Sequence, residues 1–283
     1  MAQTKHEIQS LLASADTSPR HRFGQNFMID QNLVRLVADA GELTPQDWCL
    51  EIGPGTGTLT EELLSRAGRV TAVEIDRDLA GLLRERLSGR ENFQLIEGDA
   101  LASKHELNAD LRAALDAARR DGLRPKLVAN LPYNIASPLV IELLIAGVDL
   151  LTFTVQKEVA DRFKAQAGSD DYGPLTLMAQ MLAKVEVLRN LPPQAFWPAP
   201  KIDSSLVRLR RDDRLGAGVK SFDVFMHKVF SFRRKTLRKA IDQAGYDADR
   251  IIRESGIDGS LRPEVFTPEQ IVELWKIALP TRV

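Results

Sequence analysis

From residue 47 onward the chain alternates short β-rich runs with helical ones: WCLEI, TLTEELLSRA, VTAVEI, DLAGLLRERL, FQLIEGD, KLVANL, SPLVIELLIA and LLTFTVQ. Strand patterns that alternate with helix patterns build βαβ units, which close into a mostly parallel sheet covered by helices. The expected class is α/β with a Rossmann-like sheet, whose ligands sit beyond the carboxyl ends of the strands. KEVADRFKAQ reads as a further helix, and KVEVLRN and SSLVRLR as two late strands forming an antiparallel addition at one sheet edge. Between them LPPQAFWPAPK is too rich in proline for a central strand.

Residues 212–219, DDRLGAGV, read as a linker. Beyond it, Phe222, Phe225, Met226 and Val229, then Leu237 and Ile241, repeat at amphipathic-helix spacing, and TPEQIVELWKIA opens with a Thr cap and Pro at the first helical position. The expected organisation is an α/β domain over 1–211 and a smaller helical domain over 220–283. With 44% hydrophobic and 27% charged residues, the 283-residue chain can bury a substantial core. Cys49 is the single cysteine and His6, His21, His105 and His227 show no ligand spacing, so neither an intrachain disulfide nor a metal site is expected. The N-terminus lacks the apolar core of a signal peptide, and the apolar stretch LVIELLIAGVDLLTFTV is interrupted by Glu142 and Asp149. A cytoplasmic, non-membrane protein is the expectation. Net charge is −1, yet residues 184–250 hold 15 Lys/Arg against 8 Asp/Glu, an excess of +7 that leaves −8 elsewhere. A basic sector on an otherwise acidic chain suits a localised phosphate-docking surface.

In LEIGPGTGTLTEEL, Gly53, Gly55 and Gly57 fall in the turn between a strand and a helix. Glycine there permits a sharp bend or close approach to a ligand. The dinucleotide fingerprint GxGxxG would require glycine at 58, where Thr58 stands. Glu51 and the E-x-G-x-G-x-G register instead resemble the first motif of the class I S-adenosylmethionine-dependent methyltransferases. Glu74 lies 23 residues beyond Glu51, one βαβ crossover away, and suits hydrogen bonds from ribose hydroxyls. Asp99, at a third strand end, suits the exocyclic amine of an adenine. Carboxylates so placed tolerate a sulfonium cation, which carries no pyrophosphate to repel.

KLVAN delivers Asn130 to the same sheet edge, and NLPY resembles the (D/N/S)-P-P-(Y/F)-like motifs of enzymes that methylate exocyclic amino groups. The lone pair of adenine N6 is delocalised into the ring. Acceptors aimed at its two protons, the Asn130 side-chain oxygen and the Leu131 carbonyl, favour a more tetrahedral nitrogen. Pro132 stiffens the turn and Tyr133 offers a ring for stacking, while Pro138 stands just inside the next helix. A stacked base must first be turned out of its helix or loop. Phe196 is the candidate second face, with Trp197 the alternative; packing of the 192–200 loop onto the sheet explains Phe196 as well.

RFGQNFMID, EIGPGTGTLT, VEIDRDLA, EGDAL, NLPYNIASPL, TVQKEVADRF, YGPLTLMAQ, PPQAFWPAPKIDSSLVRL and VFSFRRKTLRKAI together resemble the ribosomal small-subunit adenine dimethyltransferases, the KsgA family, from about residue 20 to the C-terminus. The resemblance implies a class I methyltransferase sheet with a C-terminal helical domain, and S-adenosylmethionine as donor. It also implies transfer of two methyl groups to N6 of each of two adjacent adenosines in the 3′-terminal hairpin loop of 16S rRNA, within the 30S subunit or its precursor, late in ribosome assembly. Carried over by position, Asn26, Met28, Gly53, Glu74, Asp99 and Asn130 are similar to residues lining the cofactor site, joined by Gly55 of the same turn. GQNF, within an N-terminal segment 1–30, would act as a lid. The stretch from Ala100 to Pro125 is longer than in the family, and Trp197 replaces a smaller residue.

FRRKTLRK supplies Arg233, Arg234, Lys235, Arg238 and Lys239, whose spacings of three and four would gather charge on one helical face, in a region the family uses against rRNA. A solvated basic face is the bland alternative. The expected agent is a monomer. Two other functions fit the same motifs: a large-subunit rRNA adenine methyltransferase of the antibiotic-resistance type, and an assembly checkpoint whose binding matters more than its chemistry.

Overall fold

The computed structural model describes residues 3–279; the expected lid segment 1–30 and helical domain 220–283 each run past this range, at 1–2 and 280–283. In chain order the elements are α1 (Lys5–Ser14), β1 (Phe27–Met28), α2 (Gln31–Ala40), β2 (Asp47–Ile52), α3 (Thr58–Leu64), β3 (Arg69–Glu74), α4 (Arg77–Leu87), β4 (Phe93–Glu97), β5 (Leu101–Ser103), β6 (Glu106–Leu107) and α5 (Ala109–Arg120). There follow β7 (Arg124–Asn130), α6 (Ala136–Ile145), β8 (Leu150–Gln156), α7 (Lys157–Lys164), α8 (Pro174–Leu182), β9 (Ala183–Leu191), β10 (Phe196–Trp197), β11 (Ser204–Arg211), α9 (Val219–Phe230), α10 (Leu237–Gln243), α11 (Ala248–Ser255) and α12 (Pro268–Ala278).

Seven strands form one sheet in the order β4-β3-β2-β7-β8-β11-β9. The first five are parallel, and β11 runs antiparallel to β8, as the sequence pattern predicts. Strands β2, β7 and β8 are buried along nearly their whole length, as expected of parallel strands with both faces covered. The order runs outward from β2 through β3 to β4, then returns to β7 on β2's other side. The topological switch point therefore lies between β2 and β7, where an open α/β sheet leaves a crevice beyond its strand ends.

The chain divides into two compact units. The first takes in the chain as far as Ala160 with Val185–Arg211; the second takes in Asp161–Lys184 with everything from Asp212 onward. In the first, Leu33, Val34, Val37 and Ala38 of α2 pack with Leu59, Leu63, Val70, Val128, Phe196 and Leu206. A separate cluster joins Ile8 and Leu12 of α1 to Phe27, Leu79 and Leu82. At ~1.5–3 kcal/mol for each aliphatic side chain fully buried, Ile8 and Leu12 contribute to holding α1 in place.

The sequence reading names no helix ahead of GQNF, yet α1 is a capped helix. Thr4 accepts from the Glu7 backbone N–H and Glu7 returns to the Thr4 N–H. The T-x-x-E signature of that capping box is present in the sequence. Within the long 100–125 segment stand the β5–β6 hairpin and α5, whose N-cap Asn108 accepts from Asp110 and Leu111 N–H.

In the second unit, Phe222, Phe225, Met226 and Val229 are the buried face of α9, and Leu237 and Ile241 that of α10. Trp275 meets Phe222 edge-on at 5.6 Å. A β-carbon on Gly218 would lie 2.3 Å from the Trp275 ring, so only glycine fits that approach. Thr267 caps α12 through a capping box, with Pro268 at its first position, as the sequence indicates.

Candidate active site

Beyond the ends of β2 and β7 lies a cleft of roughly 920 Å³, counting the part open to solvent. Asn26, Met28, Gly53, Gly55, Glu74, Asp99 and Asn130 all line it. These residues come from five separate stretches of sequence, and the sheet order brings them together.

The glycine turn follows β2. Gly53 and Gly55 have φ of +68° and +61°, a left-handed conformation costly for other residues. Space forbids a side chain as well: a β-carbon on Gly55 would stand 2.8 Å from the Phe27 ring, and one on Gly53 3.2 Å from Pro132. The turn thus lies close against both the N-terminal segment and the NLPY turn.

Glu51 is buried, and its Oε2 atom has no hydrogen-bond partner among the described residues. Burial, with the Glu74 carboxylate adding, pushes its pKa up to about 8. Glu74 is also buried and rises to about 7 for the same reason, although it accepts from Gly55 N–H at 3.2 Å and Asp76 N–H at 2.9 Å. A cation or a pair of hydroxyl donors in this cleft would relieve both groups. Asp99 accepts from Leu101 N–H at 3.0 Å.

Residues that the sequence pattern does not single out hold this geometry. Arg20 binds Asp76 at 2.7 Å and also pairs with Asp78, while Gln25 Nε2 donates to Asp76 at 2.9 Å. Both therefore tie the N-terminal segment to the residue two beyond Glu74. Gln3 donates to the Thr56 carbonyl at 3.0 Å and accepts from its hydroxyl at 2.6 Å, gripping the glycine turn. The antiparallel pairing of β1 with β10 fixes the N-terminal segment against the 192–200 loop. No local sequence signal marks contacts that span so many residues.

At the end of β7, Asn130 Nδ2 donates to the Asn26 carbonyl at 2.7 Å and its Oδ1 accepts from the Thr154 hydroxyl. The Leu131 side chain is buried, and Pro132 lines the cleft. Tyr133 is half-buried beside it, its hydroxyl 2.6 Å from Ser204 Oγ. Burial raises the phenol above its ordinary pKa. Phe196 is placed differently from the sequence expectation of an aromatic face open to a base. It is only 2% exposed, packed in the core with Met28, Leu191 and Leu206. Strand alternation explains this: β10 turns Phe196 inward and Trp197 outward. Trp197 stacks on Phe27 at 6.3 Å, half-buried.

The basic cluster also departs from expectation. Arg233, Arg234 and Lys235 are exposed in the turn between α9 and α10, and only Arg238 and Lys239 are helical. They do not share one helical face. Helix α10 restarts at Leu237 because Leu237 N–H donates to the Leu261 carbonyl and Arg238 N–H to that of Gly259, taking up donors a continuous helix would use. Arg238 also pairs with Asp249.

This sheet order, with strand-end carboxylates and a glycine turn at its switch point, is the class I methyltransferase fold. Solved structures share it: a dimethyladenosine transferase from Plasmodium falciparum (TM-score 0.73, 23% identity, covering 88% of this chain and 95% of that one) and the 23S rRNA methyltransferase ErmE (TM-score 0.64, 30% identity, covering 89% and 99%). The chain belongs to the ribosomal RNA adenine dimethylase family, whose model matches residues 17–278. It is 41% identical over 280 residues to the ribosomal RNA small subunit methyltransferase A of Magnetococcus marinus, with 97% of each chain covered.

Proposed function

We propose that this enzyme dimethylates N6 of two adjacent adenosines in the 3′-terminal hairpin loop of 16S rRNA, in the 30S subunit or its precursor, with S-adenosylmethionine as donor. The observation that carries the reading is the meeting of Glu51, Glu74, Asp99 and Asn130 in one cleft of a chain from the rRNA adenine dimethylase family. The cleft fits the donor in size and charge. It offers two buried carboxylates, one with an orphaned oxygen, and a glycine turn with no room for side chains.

S-adenosylmethionine, when bound, supplies an electrophilic methyl group. In the proposed roles, Glu74 accepts from its ribose and Asp99 from its adenine amine, while Asn26, Met28, Gly53 and Gly55 complete the walls. Asn130 Oδ1 and the Leu131 carbonyl accept the two N6 protons of the target adenine and orient the nitrogen lone pair. Tyr133 stacks on the base. Phe196 is in the core and is not open to the base, and Trp197 is the more accessible ring. No strong base is required, because alkylation itself acidifies the nitrogen. Arg233, Arg234, Lys235, Arg238 and Lys239 supply an exposed basic surface for rRNA phosphates.

The likeness to ErmE, at 30% identity, favours a second reading, methylation of large-subunit RNA. Purified enzyme with labelled S-adenosylmethionine, 30S particles from cells lacking the activity and, separately, 50S particles distinguishes the two. Dimethyladenosine in 16S rRNA, identified by mass, is the expected product. Label confined to large-subunit RNA would favour the second reading, and no label in either particle would reject both.

A further inference from the structure

The two polar side chains of the NLPY turn each end on a hydroxyl supplied by the sheet. Asn130 and Thr154 are partners in the β7–β8 ladder, so their side chains leave the sheet on one face. The Thr154 hydroxyl donates to Asn130 Oδ1, while Nδ2 of the same amide donates to the Asn26 carbonyl at 2.7 Å. These contacts have opposite polarity, so they fix which end of the amide is oxygen and which nitrogen. They also leave Oδ1 one further lone pair. At the other end of the turn, the Tyr133 hydroxyl lies 2.6 Å from Ser204 Oγ. Ser204 opens β11, the strand beside β8, in register with Gln156. Thr154 and Ser204 are both fully buried, and neither lines the cleft. Their side chains are shielded from solvent, and each hydroxyl makes a side-chain hydrogen bond to the turn.

We propose that Thr154 and Ser204 are positioning residues for methyl transfer. As sheet-borne hydroxyls, they hold the Asn130 amide and the Tyr133 ring in the orientation the target base requires. A turn stiffened by Pro132 fixes its own backbone but not the side-chain torsions at its two ends. Two rigid strands fix those, and rigid support is what keeps a catalytic group within a few tenths of an ångström of its working place. The inference rests on the reading of the NLPY turn given above.

Its test is steady-state methylation of 30S particles by Thr154→Val, Thr154→Ser, Ser204→Ala, Tyr133→Phe and the Ser204→Ala/Tyr133→Phe double variant, beside Asn130→Ala. Thr154→Val should lower kcat by about tenfold or more, with KM for 30S within about twofold, and Thr154→Ser should recover most of the loss. Ser204→Ala and Tyr133→Phe should each lower kcat severalfold, and the double variant no further than either alone. A Thr154→Val enzyme with wild-type kcat overturns the role of Thr154. So does a Thr154→Ser enzyme as slow as Thr154→Val, since that outcome indicates packing. Additive losses in the double variant overturn the role of Ser204. Wild-type turnover by Asn130→Ala would defeat the reading of the turn itself, whereas an inactive Asn130→Ala beside a fully active Thr154→Val would remove the positioning role alone.

Discussion

Glu51 and Glu74 face the same cleft, both buried and both raised in pKa, to about 8 and about 7. In the unfolded chain each would titrate near the ordinary 4.5. Between those values the folded protein holds protons that the unfolded chain has released, so stability falls as pH rises through this window. The melting temperature of the donor-free protein should therefore decline from pH 5 to pH 8, and Glu51→Gln, which cannot ionise, should flatten that decline. Calorimetry at a series of pH values checks it, and an equal slope in the variant would refute the assignment. Donor binding should show the opposite trend. A carboxylate accepts ribose hydroxyls better than a carboxyl does, so the Kd for S-adenosylmethionine should fall as pH rises through about 7 and then level.

At the scale of the element, the turn between α9 and α10 is the informative case. Charges spaced by three and four residues read as one helical stripe in sequence. Hydrogen bonds donated to carbonyls of the 259–261 loop interrupt that helix and leave Arg233, Arg234 and Lys235 on an exposed turn. Arg238, by contrast, already has Asp249 as a partner. Replacing Arg233, Arg234 and Lys235 together by Glu should weaken 30S binding and lower the salt slope of log K by roughly 2, at about 0.7 for each phosphate contact with unpaired RNA. Reversing Arg238 alone should do less. Filter binding at several salt concentrations measures both, and an unchanged slope in the triple variant would exclude the turn from RNA contact.

For the molecule as a whole, a ligand that binds only the folded state stabilises it by mass action. At a donor concentration about a hundred times its Kd the gain is about 2.7 kcal/mol, or a rise of roughly 5–10 °C in Tm for a unit of this size. Glu74→Ala should lose most of that rise. Thermal scans with and without S-adenosylmethionine decide the matter, and a full shift in the variant would place the donor elsewhere. Charge is also a whole-chain property: the +7 excess over residues 184–250, set against −8 elsewhere, gives the chain a basic sector that should favour encounter with a polyanion.

The alternation of strands and helices, the glycine turn, Glu51, Glu74, Asp99 and the NLPY run were legible in the sequence, because local period, turn chemistry and strand-end position are short-range properties. The cap of α1 was legible too, in Thr4 and Glu7, though pattern reading passes over it. Other features appear only once the sheet is assembled. Hydroxyls 24 and 71 residues away support Asn130 and Tyr133, Gln3 grips Thr56, and Phe196 turns into the core while Trp197 turns out. Such pairings depend on strand register and chain crossing, which no local window contains. The sequence by itself determined which chemistry the chain carries; the tertiary structure decided which distant side chains hold that chemistry in place.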